Sequence, residues 1–579
     1  MKAKKKDIKK ANLTGFMIII AAIVVINVIS GFVFTRIDLT SEKRYTLSDA
    51  TKTLLAKLDD YVHFRVYLDG DFPAGFKKLQ RETREMLNEF RAYSRFVTYE
   101  FINPSASNDR TEREETYQLL VERGLEPTDL QVRTKDGMQR LMIFPGAMVY
   151  YRDRELPVDL LESQLNMPAE AVLNISIQNL EFKMADVIHK LSLLQKPSIA
   201  FIEGHGEFTA SQVHDITQTL NTNYQVERIS LDGQISTLTR RSDPDAQGNV
   251  RILRNYEAII IAAPVQAFSE QDKFIIDQFI MRGGKVLWLI DPVLTSMDSL
   301  TNGESTIGIV NELNLDDQFF KYGLRLNKNL VLDLNSAAIG LRTGQVGNQP
   351  QIDFFRWNYF PLLNPASDHP IVRNLSSIKG EFVSSIDTVM VDGVRKIPLL
   401  RTSGYSRISN VPVLVTLAMI NEQPDERLYN RGNQNVAYLL EGEFPSLYAH
   451  RVPPEITDSK EIGFREQSEP TAMIIVADGD VIRNQFHFQQ GYPLPLGFDQ
   501  YTRQTFGNKD FIMNAVSYLV DDIGLVGIRS REIKIRLLDM TKVNASRLYW
   551  QVLNTAIPVL LMLLFGLILS FLRKQKFAK

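Results

Sequence analysis

Two long apolar stretches without a charged residue, one near each end of the chain, constrain this sequence most. They run from Leu13 to Phe34 and from Val552 to Leu572. Because a helix rises about 1.5 Å per residue, each stretch is long enough to cross a hydrocarbon core that is about 30 Å thick. Tyr549 and Trp550 precede the second stretch, where aromatic side chains favour the membrane interface. We therefore expect one transmembrane helix at each end of the chain.

Basic residues flank the outer side of both stretches. Residues 1–12 carry six lysines and one aspartate, and residues 573–579 carry three lysines and one arginine without an acid. By the positive-inside rule, both tails lie in the cytoplasm and the residues between the spans lie on the far side of the membrane. The alternative for residues 13–34 is a cleaved signal peptide, but their apolar core is longer than usual and no small-residue cleavage site follows. We predict an inner-membrane protein with two spans, 13–34 and 552–572, and a large periplasmic ectodomain.

The charge distribution and the absence of cysteine exclude several classes of function. The formal net charge of the whole chain is −2, although both tails are basic, so the ectodomain is acidic. A nucleic-acid-binding protein concentrates positive charge on its folded part, so we expect membrane lipid and not nucleic acid as a partner. The chain contains no cysteine, which excludes cysteine nucleophiles, cysteine-ligated metal sites and a lipidated cysteine.

The first part of the ectodomain has the pattern of a small α/β domain. Residues 61–68 and 97–102 have the pattern of β-strands, and residues 76–93 between them have the pattern of a helix. This spacing permits a parallel strand pair with a right-handed crossover. We predict an N-terminal domain over residues 36–195 with a thioredoxin-like fold. Without cysteine, such a fold serves as a scaffold only.

The central part predicts a parallel sheet with helices on both faces. Near-continuous apolar strands alternate there with amphipathic helices. The strands are predicted at Ser198–Glu203, Gln225–Ser230, Ala258–Ala262 and Lys285–Ile290. We assign residues 196–335 to this central domain and expect a strand near Leu330–Leu334 to complete its sheet. Residues 336–545 are mixed α/β and rich in predicted strands, and we expect them to complete the central domain in part.

The first candidate site follows the first strand of the central sheet, where open parallel sheets bind ligands. The two glycines permit a tight backbone path, and the histidine can titrate or ligate a metal. We expect the aspartate after the fourth strand to lie at the same edge. The candidate ligand-binding residues are Glu203, Gly204, His205, Gly206, Glu207 and Asp291. The alternative is a capped turn whose His and Glu side chains hydrogen-bond to the backbone.

A second candidate site is the loop with Asp478 and Asp480, which follows an apolar strand. Two carboxylates on one loop can hold a cation, and the alternative is a solvated turn. The sequence has no phosphate-binding loop and no set of nucleophile, base and orienting residue. A hydrolase using Glu203, Glu207 or Asp478 is therefore disfavoured. We predict a protein that is not an enzyme and needs no cofactor.

Several segments together resemble one protein family. They are GHGE, LWLIDP, VAYLLEGEFPSLY, IIVADGDVIRN, NKDFIMNAVSYLVDD and a C-terminal span that ends in Arg-Lys. In this order, and with an anchor at each end, they resemble the GldG-type gliding-motility proteins of Bacteroidetes. The resemblance implies an ABC transporter with a GldA-like ATPase subunit and a multi-span GldF-like permease subunit, in which this chain is the auxiliary or substrate-binding subunit. It also implies a central fold similar to that of glutamine amidotransferases, whose activity the missing cysteine excludes.

Two functions are consistent with this resemblance. The first is a non-enzymatic, envelope-facing subunit that supports gliding motility and couples the ATPase and permease to an extracytoplasmic ligand or partner. The alternative is a periplasmic ligand- or glycan-binding subunit whose site lies near the GHGE loop.

Overall fold

The computed structural model describes two stretches of the chain, residues 13–25 and 46–577, with short gaps in the second. The gaps are residues 71, 108, 135–136, 163–167, 194, 243–250, 298, 301–303, 347–348, 460–461, 522–523, 531–542 and 544–545. The predicted tail at 1–12 and the second part of the predicted first span, 26–34, lie outside the described residues. The described residues belong to a large unit within 1–39 and 45–531 and a small unit within 40–44 and 532–579.

The N-terminal part of the large unit contains a four-stranded sheet covered by helices. Its helices are α2 (Asp49–Ala56), α3 (Ala74–Tyr93), α4 (Arg110–Glu122), α5 (Ala169–Gln178) and α6 (Leu180–Ser192), and α1 (Leu13–Val25) precedes them. Its strands are β1 (Val62–Val66), β2 (Val97–Phe101), β3 (Thr128–Thr134), β4 (Gly137–Ile143), β5 (Gly146–Tyr151) and β6 (Arg154–Asp159). The sheet has the order β2–β1–β5–β6, in which only β1 and β2 are parallel neighbours. The predicted strand–helix–strand unit is confirmed by β1, α3 and β2.

Local sequence and burial explain why these elements form one core. α2 begins after Ser48, whose side-chain oxygen accepts a hydrogen bond from the backbone N–H of Thr51 (3.1 Å), as an N-cap residue does. The apolar residues of α2, α3 and α6 are buried against β1 and β5. The antiparallel hairpin of β3 and β4 forms a separate two-stranded sheet.

The remaining elements follow α6 in the chain, and many of their strands form one large sheet. The helices are α7 (His214–Asn223), α8 (Glu270–Met281), α9 (Asp316–Tyr322), α10 (Pro454–Thr457), α11 (Asn508–Val520) and α12 (Arg547–Phe577). The strands are β7 (Ser198–Glu203), β8 (Gln225–Ser230), β9 (Thr239–Arg241), β10 (Ile252–Arg254), β11 (Ala258–Ala262), β12 (Lys285–Leu289), β13 (Val293–Leu294), β14 (Ser305–Val310), β15 (Leu324–Leu326), β16 (Asn329–Asp333), β17 (Ser336–Val346), β18 (Gln349–Pro365), β19 (Ile378–Lys379), β20 (Ile386–Thr388), β21 (Val394–Arg401), β22 (Ser406–Asn410), β23 (Val413–Thr416), β24 (Asn435–Gly442), β25 (Thr471–Val476), β26 (Phe498–Asp499) and β27 (Gln504–Thr505).

The large sheet is parallel on one side and antiparallel on the other. Its order is β17–β18–β21–β24–β25–β12–β11–β7–β8, and the strands from β25 to β8 are parallel. The four strands predicted for the central sheet are therefore confirmed as a parallel set. β24, β21, β18 and β17 extend the sheet in antiparallel fashion. All five residues of β11 are buried, as expected for a parallel strand with both faces covered.

One strand prediction was wrong. Residues 330–334 do not complete the large sheet, because β16 pairs in antiparallel fashion with β22 in a separate two-stranded sheet. The position beside β12 is occupied by β25, which lies much later in the chain. An apolar run predicts a buried strand but not the strand with which it pairs.

The last described residues of the large unit pack into the core of its N-terminal part. Residues Leu525–Ser530 form a 3-10 helix. Leu525 is 1% exposed and Ile528 is 5% exposed, and both belong to the apolar core that contains Leu47 and the helices α2 and α6. The segment that follows α11 thus contributes to the core of the first domain.

The small unit contains the C-terminal apolar helix. Among the described residues, Arg547–Gln575 is the one helix that is long and apolar enough to cross a membrane. It includes the predicted span 552–572. The described residues of the first predicted span form α1, which is apolar and shorter.

Candidate functional site

The candidate loop Glu203–Glu207, called the 203–207 loop below, turns sharply where β7 ends. Gly204 and Gly206 have φ angles of +120° and +75°, a region that favours glycine. A Cβ atom at Gly206 would lie 2.5 Å from the side chain of Val265. Only glycine fits at this position, because the turn lies directly against the neighbouring loop.

His205 lies at the centre of this turn and is 5% exposed. Its ring Nδ1 lies 3.2 Å from Glu207 Oε1, and its ring Nε2 lies 3.3 Å from Asp272 Oδ2. The ring stacks on Phe268 with 3.7 Å between ring centroids. The backbone N–H of His205 donates to Glu207 Oε2 (2.7 Å). Both ring nitrogens and one ring face are therefore engaged within the protein.

The backbone of His205 also connects the 203–207 loop to the segment before α8. Its carbonyl oxygen accepts hydrogen bonds from the N–H groups of Val265 (2.9 Å) and Gln266 (2.8 Å). Asp272 lies in the first turn of α8, and its backbone N–H donates to the N-cap oxygen of Ser269 (3.1 Å). The 203–207 loop is thus fixed to the loop before α8 and to the start of that helix.

The electrostatics of the turn favour a charged histidine. Burial alone lowers the pKa of His205, but the carboxylates of Glu207 and Asp272 outweigh burial, and the pKa is raised. An imidazolium can donate to both carboxylates at once, which a neutral ring cannot do. As in the capped-turn alternative, Glu207 accepts a hydrogen bond from the backbone, but the side chain of His205 lies between the carboxylates of Glu207 and Asp272.

Glu203 has a separate partner on the neighbouring strand. Its Oε1 accepts a hydrogen bond from Arg228 Nε (2.5 Å), and Arg228 also donates to the carbonyl of Phe208 (2.7 Å). Glu203 therefore helps to hold the turn to β8.

The second candidate site contains three carboxylates, Asp291, Asp478 and Asp480, which we call the aspartate group. One oxygen atom of each lies within 4.8 Å of the others. Asp291 follows β12, and Asp478 and Asp480 follow β25. Because β12 and β25 are parallel neighbours, their carboxyl ends meet at the same edge of the sheet. Among the described residues, no hydrogen bond or ion pair joins Asp291 to the 203–207 loop, so the structure groups Asp291 with the second candidate site.

Backbone donors hold the aspartate group in place. Asp478 is fully buried and accepts hydrogen bonds from the backbone N–H groups of Glu381 and Asp480 (both 2.9 Å). Asp291 accepts a hydrogen bond from the N–H of Gly479 (2.7 Å). These contacts fix the orientation of the carboxylates without cancelling their negative charge.

Burial and mutual repulsion both disfavour full ionisation of the group. Burial raises the pKa of Asp291 to about 6. Burial, followed by repulsion from nearby carboxylates, raises the pKa values of Asp478 and Asp480 well above their usual range. Arg483 lies 3.3 Å from Asp480 and offsets this in part. Three oxygen ligands that share excess negative charge suit a hard divalent cation, which would take the place of the protons.

The part of the chain that contains the large sheet matches a known protein family. Residues 196–515, more than half of the chain, match the family model described as an ABC-type uncharacterized transport system. The chain belongs to this family. Residues 41–150 match a second model, described as a domain of unknown function. Family membership makes the protein an accessory component of ABC-type transport, and α12 indicates an association with the membrane.

Relatives of known sequence or structure add little about function. An uncharacterized protein of Borreliella burgdorferi is 22% identical over 550 residues, which cover 93% of this chain and 94% of the relative. The mmIFT52 N-terminal domain is 13% identical with a TM-score of 0.31 and covers 56% of this chain and 98% of its own. A ThuA-like protein from Parabacteroides merdae is 8% identical with a TM-score of 0.25 and covers 60% of this chain and 94% of its own.

Sequence reasoning missed the residues around His205. Asp272 and Phe268 were not among the predicted site residues, although Ser269 and Asp272 have the spacing of a helix-capping pair. That spacing identifies the start of α8 but not its neighbour. The partnership with His205 depends on the parallel pairing of β7 and β11, which no local pattern contains.

Proposed function

We propose that the protein is a non-enzymatic, envelope-facing subunit of an ABC-type transport complex that supports gliding motility. The match of residues 196–515 to the transport-system family carries this proposal. In the proposed topology, a span at each end crosses the inner membrane, both termini lie in the cytoplasm and the ectodomain is periplasmic. The partners are a GldA-like ATPase and a multi-span GldF-like permease.

The sheet of the N-terminal part supports the role of a coupling scaffold. Its strand order and directions are consistent with a thioredoxin-like arrangement, and the chain contains no cysteine for redox chemistry. Leu47, which follows the first predicted span, and Leu525, which precedes the second, are buried in the same core.

Co-purification tests this function. The full chain with an affinity tag is solubilised from native membranes in a mild detergent, and the proteins that remain bound are identified by mass spectrometry. We expect an ABC ATPase and a multi-span permease in comparable amounts. The matched control replaces residues 552–572 with an unrelated apolar helix, which keeps the anchor and removes specific helix contacts. Recovery of neither subunit with the native chain would contradict the proposal.

The second candidate function is that of a ligand-binding subunit with a divalent cation at the carboxyl edge of the sheet. The specific observation in its favour is the close approach of Asp291, Asp478 and Asp480. The 203–207 loop lies at the carboxyl end of β7 in the same sheet, so a bound cation and this loop would offer a ligand one common edge. Equilibrium binding of Ca²⁺ and Mn²⁺ to the full chain, with Asp478→Asn as the matched variant, tests this function. Saturable binding that is lost in the variant supports it, and equal binding by both proteins contradicts it.

A further inference from the structure

A cavity of about 560 Å³ lies at the amino-terminal edge of the parallel strands, and we call it the amino-edge cavity. It is lined by Ser198 and Lys285, which begin β7 and β12, and by Glu257, which precedes β11. His189 of α6 and Asp521, which follows α11, complete its wall. Small-molecule sites commonly have volumes of about 300–1,000 Å³, so the cavity has the size of a metabolite site.

The lining of this cavity is rich in cations. Five cationic side chains face three carboxylates. The cations are Lys190, Lys196, Arg240, Arg254 and Lys285. This local excess of positive charge contrasts with the acidic character of the ectodomain.

Two of the three carboxylates are already paired within the wall. Lys190 Nζ lies 2.6 Å from Asp186 Oδ2, and Arg254 Nη2 lies 3.1 Å from Glu257 Oε2. These pairs neutralise two cations and two anions. Neither pair uses Lys196 or Arg240.

Of these two cations, Lys196 has a partner at the end of a neighbouring helix, whereas the side chain of Arg240 has no partner among the described residues. Lys196 Nζ donates to the carbonyl oxygen of Asn221 (2.7 Å) in the last turn of α7, where a cation stabilises unpaired carbonyl groups. The guanidinium of Arg240 makes no hydrogen bond or ion pair with any residue that the structure describes, although Arg240 lines the cavity. Its five N–H donors are available to a ligand.

We propose that the amino-edge cavity binds a small soluble anion that carries a phosphate or carboxylate group. Arg240 recognises the anionic group, and Lys196 contributes positive charge beside it. The walls of the cavity come from α6 of the N-terminal part, from the central strands and from Leu525 of the 3-10 helix. A bound anion therefore joins three parts of the ectodomain and stabilises their arrangement. This inference goes beyond the proposed function and does not rest on it.

Anion binding is measured on the full chain in a neutral detergent, without the ATPase or permease. Inorganic phosphate and citrate are titrated by isothermal calorimetry, and thermal unfolding is followed in parallel. The variant Arg240→Glu places a negative charge where the anion binds and removes no side-chain hydrogen bond or ion pair found among the described residues. The matched control is Arg356→Gln, because Arg356 is an exposed arginine of β18 outside the cavity.

We expect saturable binding of at least one of the two probes, weakened by added salt and weakened about tenfold or more in Arg240→Glu. The control variant should bind as the native protein does. Absence of saturable binding at millimolar probe concentrations, or equal binding by native protein and Arg240→Glu, overturns the proposal. A third arm uses vesicles of phosphatidylcholine with anionic phosphatidylglycerol. Arg240-dependent binding to these vesicles without binding of phosphate or citrate overturns the assignment to a soluble anion.

Discussion

The turn around His205 and the aspartate group lie at the same edge of the large sheet. The turn pairs opposite charges, whereas the aspartate group brings like charges together. In the turn, one imidazole lies between Glu207 and Asp272, so opposite charges meet. In the aspartate group, three carboxylates meet at short range, and burial and like charge raise their pKa values. The contrast teaches that the two carboxylates of the turn share a cationic partner, whereas among the described residues the aspartate group has a cation within hydrogen-bond distance only at Asp480, where Arg483 lies 3.3 Å away.

The largest effect is expected from removal of the histidine. His205→Ala leaves the carboxylates of Glu207 and Asp272 buried without their shared partner, which should destabilise the protein by about 3–5 kcal/mol. Denaturant unfolding of the detergent-solubilised chain measures this change in the free energy of unfolding. The matched control is His450→Ala, whose side chain is 87% exposed, and its effect should stay within about 0.5 kcal/mol. Equal effects of the two substitutions would show that the turn does not depend on its imidazolium.

The second effect concerns addition of a divalent cation to the aspartate group. A cation that binds only the folded protein stabilises it by about 2.7 kcal/mol at a concentration of about 100 Kd. We expect Ca²⁺ or Mn²⁺ to raise the Tm of the native protein and to leave the Tm of the double variant Asp478→Asn/Asp480→Asn unchanged. Thermal unfolding with and without a chelator checks this result. An equal rise in both proteins would place the cation elsewhere.

The third effect follows from the raised pKa of Asp291, which is about 6. A carboxyl group whose pKa is raised on folding contributes stability at low pH, and this contribution is lost as pH rises from about 4 to about 6. Asp291→Asn cannot ionise, and its amide oxygen can still accept from Gly479. We expect the variant to be more stable than the native protein by about 2 kcal/mol at pH 8 in the presence of a chelator, and the difference to shrink below pH 4. A difference that does not change with pH would contradict this account.

The smallest expected effect is the pH dependence of the stability that His205 contributes to the turn. Because the pKa of His205 is raised on folding, its contribution to stability is complete below the unfolded value of about 6.5 and is lost as pH rises through the folded value. The stability difference between the native protein and His205→Gln should therefore decrease as pH rises above about 6.5. Unfolding free energies of both proteins between pH 5 and pH 9 measure this decrease. A constant difference would mean that the ring is neutral throughout.

Much of the fold could be predicted because its signals are local. The apolar strands β7, β11 and β12 and the terminal apolar helix α12 follow from short runs of sequence. The partner of β16 and the position of β25 could not be predicted, because β25 reaches β12 from a distant part of the chain. Local patterns contain no information on such pairings.

The candidate sites show the same limit. Their residues were visible as Gly-flanked or paired acids after strands, but the grouping of Asp291 with Asp478 depends on the β12–β25 pairing. The charge state of His205 depends on Asp272, which a capping motif places on α8 but not beside the histidine. The cations of the amino-edge cavity are spread over several elements and form no motif.

The burial of Leu525 and Ile528 in the first domain has a consequence for the order of events during biogenesis. A chain emerging from its N-terminus normally completes its first domain before later ones appear. Here the first domain lacks part of its core until residue 528 has been synthesised. Contacts so far apart in sequence form slowly, because a long loop must close before they are gained. The first domain to emerge is thus the last to be finished.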